Sequence, residues 1–287
     1  MIRHRIARLF LAAVMALPGL AAAQDNYPGR PIRIVIGYSA GGGNDIIVRV
    51  MTPELSKGLG QPVVVENKPG AQSIIAAEMV AKSPADGYTI LMGPSGPMTI
   101  NPATYSKLPY SPQRDFAPIS MICSFPLIVV VDPRLPIRSI KDLVDYAKAN
   151  PGKANYASSA GIFQISTEMF KQLTATKIEL IPYKGSGESV QAVAAGQVMM
   201  TIVDPAPAAG PLKSGTVRGL AVTSGKRHPS WPDLPTMIEG GVNMEASITP
   251  LDRAATRAAG PPSPIGRKVT SLLASMPLSR RSLTTRA

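Results

Sequence analysis

Between Tyr27 and Val222 the chain alternates between short apolar runs and longer apolar-periodic segments, and this alternation limits its fold more than any other feature. Strand-like runs begin at Ile32–Gly37, Pro62–Glu66 and Tyr88–Gly93 and resume at Leu127–Asp132, Ala154–Ala157, Ile178–Pro182, Val198–Val203 and Val217–Val222. Helix-like segments fall between most of them: Asn44–Lys57, Ser73–Lys82, Ile140–Ala149, Ile162–Leu173, Ser186–Ala195 and Pro205–Lys213. Strands that alternate with helices form βαβ units, so the expectation is an α/β protein with mainly parallel sheets. The Pro-rich stretch Asn101–Pro126 lacks either period and is read as a crossover between two lobes, with a second crossover near Ala221–Gly225. The implied division is lobe 1 over 24–120, lobe 2 over 121–220 and a return to lobe 1 over 221–250.

The two ends depart from this pattern. Arg3, Arg5 and Arg8 precede an uncharged run from Leu9 to Leu20 and then Ala21-Ala22-Ala23, the layout of a cleavable signal peptide over residues 1–23. The run is too short for a membrane anchor, which needs roughly 18 apolar residues. Export to the periplasm is therefore expected, with cleavage before Gln24. Cys123 is the single cysteine, so no intramolecular disulfide forms, and the residue is read as a small buried hydrophobe. The formal charge of +12 is concentrated at the ends: residues 1–23 carry +3 and residues 251–287 carry +6, which leaves +3 for the body. A nearly neutral body without basic and aromatic residues interleaved argues against nucleic-acid binding. Residues 251–287 read as an atypical basic tail.

Local signals refine the helices. Ser139-Ile140-Lys141-Asp142 resembles a capping box, and Pro151-Gly152 stops the helix that it opens. Ile47, Met51, Leu55 and Leu59 form an apolar stripe, and Pro53 is expected to kink or split the segment that carries it.

Most catalytic chemistries lack their residues. His4 lies in the signal segment and His228 stands without a Cys/His cluster, which leaves no metal site. Gly93-Pro94-Ser95-Gly96 is not a nucleophile elbow, and any Ser–His pair would have to use His228. The stretch Gly37-Tyr38-Ser39-Ala40-Gly41-Gly42-Gly43-Asn44-Asp45-Ile46 follows a strand and opens a helix. Ile46 stands where a dinucleotide fingerprint needs its last glycine, and no P-loop occurs. A glycine turn before a helix start still holds an anion through free N–H groups and the helix dipole, and a carboxylate serves as well as a phosphate. Asp45 is read first as a charge favourable to that helix start, with ligand contact as the rival role. Ser158-Ser159-Ala160-Gly161 repeats the arrangement after a later strand, giving one such loop in each expected lobe.

An ordered series of segments carries a family resemblance. Tyr27-Pro28, Gly41-Gly42-Gly43-Asn44-Asp45, the run from Gly60 to Gly70, Asp86-Gly87-Tyr88-Thr89 and Ile100-Asn101-Pro102 are followed by Asn155-Tyr156-Ala157-Ser158-Ser159, Pro182-Tyr183-Lys184-Gly185, Gly196-Gln197-Val198 and Leu220-Ala221-Val222-Thr223. Over about residues 27–245 the chain resembles the Bug family, also called the TctC family, extracytoplasmic solute receptors of tripartite tricarboxylate transporters. The resemblance implies a two-lobe periplasmic-binding-protein fold with a small carboxylate in the cleft, no cofactor, no metal and no catalysis. It implies transporter membrane subunits as partners of a monomeric receptor. Carried over, the ligand loops are Ser39, Ala40, Gly41, Gly42, Gly43, Asn44 and Asp45 in the first lobe and Ser158, Ser159, Gly161 and Gln164 in the second, with Ser95, Tyr183 and Asp204 lining the cleft. Ser159–Gln164 is shorter and more apolar than the family pattern, with Gln164 where histidine is common.

The tail departs further, because the family's Trp-containing strand, Ala-Pro-Ala-Gly-Thr-Pro-like turn and closing helices are not apparent after Pro250. Leu251-Asp252-Arg253-Ala254 can be encoded CTG GAC CGG GCT, whose next frame reads Trp-Thr-Gly, so a frameshift near Pro250 is an expectation, and poor folding with it. The alternatives at this stage are an exported carboxylate sensor for a regulatory membrane partner, an exported α/β enzyme using Ser95 or His228, and a degenerate non-functional member.

Overall fold

A computed structural model describes residues 27–248, so the expected signal peptide and the basic tail lie outside the described residues. Two sheets form two α/β lobes. The smaller is all parallel, in the order β2-β1-β3, from β1 (Ile32–Ile36), β2 (Val63–Asn67) and β3 (Thr89–Met92). The central β1 is buried except at Arg33, as a parallel strand covered on both faces requires. Exposed Arg33 pairs with Glu66 on β2 at 3.1 Å.

Between β1 and β2 runs α1 (Gly43–Leu59), and between β2 and β3 runs α2 (Ile74–Ala81). Val48, Leu55 and Leu59 carry the buried face of α1, with Met51 packed beside them, whereas Ile47 is only half-buried. Of the two outcomes expected for Pro53, a kink or a split, the split does not occur, and α1 runs through it as one helix. Proline leaves the carbonyl four residues back without its helical donor, and here the Thr52 hydroxyl donates to that Arg49 carbonyl at 3.0 Å.

The larger sheet runs β7-β6-β8-β5-β9, from β5 (Ile128–Val131), β6 (Asn155–Ser158), β7 (Glu179–Pro182), β8 (Met200–Val203) and β9 (Arg218–Val222). Its helices are α3 (Ile140–Ala149), α4 (Gly161–Thr174), α5 (Ser186–Ala194) and α6 (Pro205–Ser214). β6, β7 and β8 are parallel, but β5 runs antiparallel to both β8 and β9. The expectation of mainly parallel pairing thus fails at β5, which enters from the other lobe and not through a βαβ crossover. The capping box of α3 forms as expected: the Asp142 N–H donates to Ser139 Oγ at 3.1 Å, and Asp142 Oδ2 accepts from the Arg138 N–H.

The crossover before β5 contains β4 (Phe125–Pro126), which pairs antiparallel with β10 (Ser247–Ile248). The chain does not leave the larger sheet near Ala221–Gly225, where the second crossover was expected. Residues 223–246 stay on that lobe instead. The Met237 N–H donates to the Val222 carbonyl, Gly240 abuts Ile140 on α3, and Met237, Val242 and Met244 are buried. Uneven polarity and three proline residues hide this attachment in the sequence, because its few apolar anchors follow no regular period. No helix of the described residues is long and apolar enough to cross a membrane.

Candidate functional site

Five strand ends aim loops at one place. The segment after β1 leads into α1, the segment after β3 carries Pro94-Ser95-Gly96, and the loops after β6, β7 and β8 open α4, α5 and α6. Ligands of open α/β sheets sit at such carboxyl ends. Here the loops enclose a cleft of about 420 Å³ of empty space, part of it open to solvent. Gly42, Gly43, Asn44 and Ser95 line it from the first lobe; Ser159, Ala160, Ser186 and Asp204 line it from the second. Tyr38, Phe125, Ile162 and Phe163 supply apolar wall.

The N-termini of α1, α4, α5 and α6 all meet this cleft, and none carries a side-chain cap of its own. Away from the cleft α3 is capped by Ser139. Uncapped N-termini present free N–H groups and the positive end of the helix dipole, which together favour an anion. At α1, α4 and α5 both are present, although the Gly43 N–H is taken up by Ser186; α6 opens with Pro205 and Pro207, which have no N–H, and offers chiefly its dipole. Ser95 Oγ and Ser159 Oγ are buried without a hydrogen-bond partner among the described residues, so both hydroxyls have hydrogens to give. No arginine, lysine or histidine is among the described residues that line the cleft.

The lobes touch directly. The Ser39 N–H donates to the Lys184 carbonyl at 3.3 Å, and the Gly43 N–H donates to Ser186 Oγ at 3.3 Å. A β-carbon on Gly43 would lie 1.8 Å from Asp204 Oδ2, so only glycine lets α1 begin against the opposite lobe. Gly187 meets the same limit, its β-carbon position lying 2.7 Å from the Gly41 carbonyl oxygen.

Of the residues expected in the site, Gly42, Gly43, Asn44, Ser95, Ser159 and Asp204 line the cleft. The others stand around it. Ser39 and Gly41 make contacts to the opposite lobe, with Gly41 in the left-handed region at φ 79°, while Ala40 is exposed. Ser158 is buried and donates to the Ala160 carbonyl at 3.3 Å. Gly161 opens α4 against Ile100, Gln164 is half-buried one turn on, and Tyr183 packs against the core.

Asp45 takes the structural role that was read first for it. Its carboxylate accepts from the Gly41 N–H at 2.9 Å and from Arg49 Nε at 2.9 Å, and so fixes the glycine turn from below. Burial alone would raise its pKa, but the bonds from Arg49, Gly41 and Asn67 hold it below the ordinary value. Asp204 has no such support. Burial pushes its carboxyl up to about 6, an effect that Ser186, its own N–H and the Gly43 N–H only partly offset, and Oδ2 completes no hydrogen bond.

Cys123 lies in the crossover, half-buried and not enclosed as expected. Burial pushes its thiol up to about 11, with the nearby Asp204 charge adding to the rise. His228 is away from the cleft lining: its Nδ1 accepts from the Ser230 N–H and its ring lies against Trp231. Sequence reasoning missed Tyr38, Phe125 and Ser186. Ser186 was within reach of the strand–loop–helix rule already applied twice, since Gly185-Ser186 follows β7 in the same way. Phe125 carried no signal.

Comparison with known proteins now decides the family. The model of the TctC family, described as the tripartite tricarboxylate transporter family receptor, matches residues 47–283. The chain belongs to this family. Protein BugT of Bordetella pertussis is 38% identical over 232 residues, which span 79% of this chain and 71% of BugT. Among solved structures, R. palustris Rpa4515 with adipate is 33% identical with a TM-score of 0.77, covering 87% of this chain and 84% of its own. MatC from Rhodopseudomonas palustris with bound malate is 26% identical with a TM-score of 0.79, covering 90% of this chain and 89% of its own. The periplasmic binding protein BugD is 30% identical with a TM-score of 0.78, over 88% of this chain and 86% of its own. The chain shares the two-lobe periplasmic-binding fold of these neighbours. The family match also runs on to residue 283, so the family's pattern does not end near residue 245 as expected.

Proposed function

We propose that this chain is a periplasmic receptor that captures a small organic carboxylate for a tripartite tricarboxylate-type transporter. The observation that carries the reading is the meeting of four helix N-termini, three of them with N–H groups to give, and two unpartnered serine hydroxyls in one cleft lined by no described basic side chain. Such a site binds negative charge with fixed, neutral donors, which suits a carboxylate that must be released again. The solved relatives with adipate and with malate point to the same ligand class.

The receptor returns its ligand chemically unchanged. In support, the cleft hydroxyls have no described histidine beside them, and His228 is engaged elsewhere. It is exported by the segment 1–23, acts as a monomer and delivers its ligand to the transporter's membrane subunits when the lobes are closed. Ligand contacts are assigned to Gly42, Gly43, Asn44, Ser95, Ser159 and Asp204. Ser39, Gly41, Asp45, Ser158 and Gly161 hold the loops that present them.

Thermal-shift screening of mono- and dicarboxylic acids, followed by calorimetry, tests this. A 1:1 complex with at least one acid is expected, weakened about tenfold in Ser159→Ala through loss of one hydrogen bond to a charged group. A screen in which no acid shifts the melt, while an uncharged solute does, contradicts it.

A further inference from the structure

We propose that Asp204 determines which carboxylic acid the cleft accepts, by requiring a hydrogen-bond donor from the ligand, so that 2-hydroxy and 2-amino acids are taken in preference to plain alkanoic diacids. The inference rests on the carboxylate reading above and adds the subclass.

Asp204 is only 3% exposed and stands at the N-cap position of α6, yet its side chain caps nothing. It reaches across the lobe boundary, where Oδ2 lies against the first residue of α1 and has no hydrogen-bond partner among the described residues. An unpartnered buried acceptor is costly, and a cavity residue in that state is completed by what enters the cavity. Ser186 Oγ accepts from the Gly43 N–H and has a single hydrogen to turn toward the Asp204 carboxyl, which offsets its burial only in part and leaves Oδ2 without a partner.

The ionisable groups on the surrounding elements give no counter-charge. Tyr38 faces the cleft from the loop after β1, and Cys123 approaches from the crossover. On α1, Asp45 is held by Arg49. On α5, Glu188 accepts from the Lys184 N–H. No described cation forms an ion pair with Asp204; the Asp45 and Arg49 charges are satisfied by each other.

A ligand carboxylate seated on the start of α1 therefore meets a second carboxylate whose own side chain is shielded from water. Two such charges repel unless a proton or a donor lies between them. A hydroxyl or ammonium on the carbon next to the ligand carboxylate supplies that donor to Oδ2. A plain diacid has none and binds only with uptake of a proton by Asp204.

The test is calorimetry on the full chain at pH 7.5 with three matched pairs: succinate and malate, glutarate and 2-hydroxyglutarate, adipate and 2-hydroxyadipate. In the pair of best-fitting length the hydroxy acid is expected to bind at least about tenfold tighter, the value of one hydrogen bond to a charged group. In Asp204→Asn, whose amide donates as well as accepts, the ratio is expected to fall below about threefold. Buffers of different ionisation enthalpy supply a readout on the wild type alone: the plain diacid takes up about one proton on binding and the hydroxy acid about none. Equal affinities within every pair, an unchanged ratio in Asp204→Asn, or no proton uptake with a bound diacid overturns the role of Asp204 and leaves carboxylate capture intact. Failure of the wild type to bind any acid removes both.

Discussion

Asp204 is buried in the cleft with its carboxyl raised from the ordinary value of 3.8 to about 6, and a pH dependence follows. Folding favours the protonated form of a group raised in this way, so its contribution is full below about pH 4 and is lost as pH rises through about 6. At pH 7.5 the ionised group costs on the order of 2–3 kcal/mol. Asp204→Asn is therefore expected to raise the ligand-free melting temperature at pH 7.5 by about 5 °C or more, and the gain should vanish toward pH 4. Melting of both proteins across that range checks it; a gain that persists at pH 4 would point to packing and not to ionisation. Asp45 behaves oppositely. Held low by Arg49 and the Gly41 N–H, it stabilises above the ordinary carboxylate range and loses that effect as pH falls through its lowered value. Asp45→Asn should weaken ligand binding several-fold through the loop, since Asp45 does not line the cleft. Calorimetry compared with melting separates that from simple unfolding.

At the scale of elements, the helix starts divide into two kinds. α3 is closed by Ser139, and Ser139→Ala should cost about 1 kcal/mol and lower the melting temperature by a few degrees without changing ligand affinity. The starts of α1, α4, α5 and α6 are open because the cleft occupies the place of a cap. The cap of α3 and the open starts of α1 and α4 were legible, because a capping box and a strand–glycine–helix turn are local patterns that few residues determine. The strand and helix spans were legible for the same reason: the α3 span was read to the residue. What was hidden depends on distant partners. Nothing near β5 announces that it enters antiparallel, because the other lobe supplies it. Nothing near Pro53 but a threonine shows that α1 continues through it. Phe125 reaches the cleft only through the meeting of the lobes, and the packing of residues 223–246 on the larger sheet rests on scattered anchors such as Met237 and Met244.

For the whole molecule, the two lobes meet through backbone and hydroxyl contacts at Ser39–Lys184 and Gly43–Ser186, and the crossover that joins them pairs its β4 with β10. Closure is thus set by how closely α1 approaches the second lobe. The family match that runs through the tail to residue 283 speaks against the frameshift expected near Pro250, and resequencing reads the frame directly. Because the family match continues to residue 283, removal of residues 249–287 is expected to lower the melting temperature, against no change if the tail adds nothing. The central claim, that a carboxylate is held in a closed cleft by helix starts and hydroxyls, depends most on the approach at Gly43, where a β-carbon would lie 1.8 Å from Asp204 Oδ2. Calorimetric titration of the best carboxylic acid into the wild type and Gly43→Ala tests it most directly. The expected result is 1:1 binding to the wild type, nearly independent of salt because no described basic side chain lines the cleft, and a loss of about a hundredfold or more in Gly43→Ala with its fold retained by circular dichroism. Equal affinity in the two proteins, or wild-type binding that collapses with salt, would contradict it.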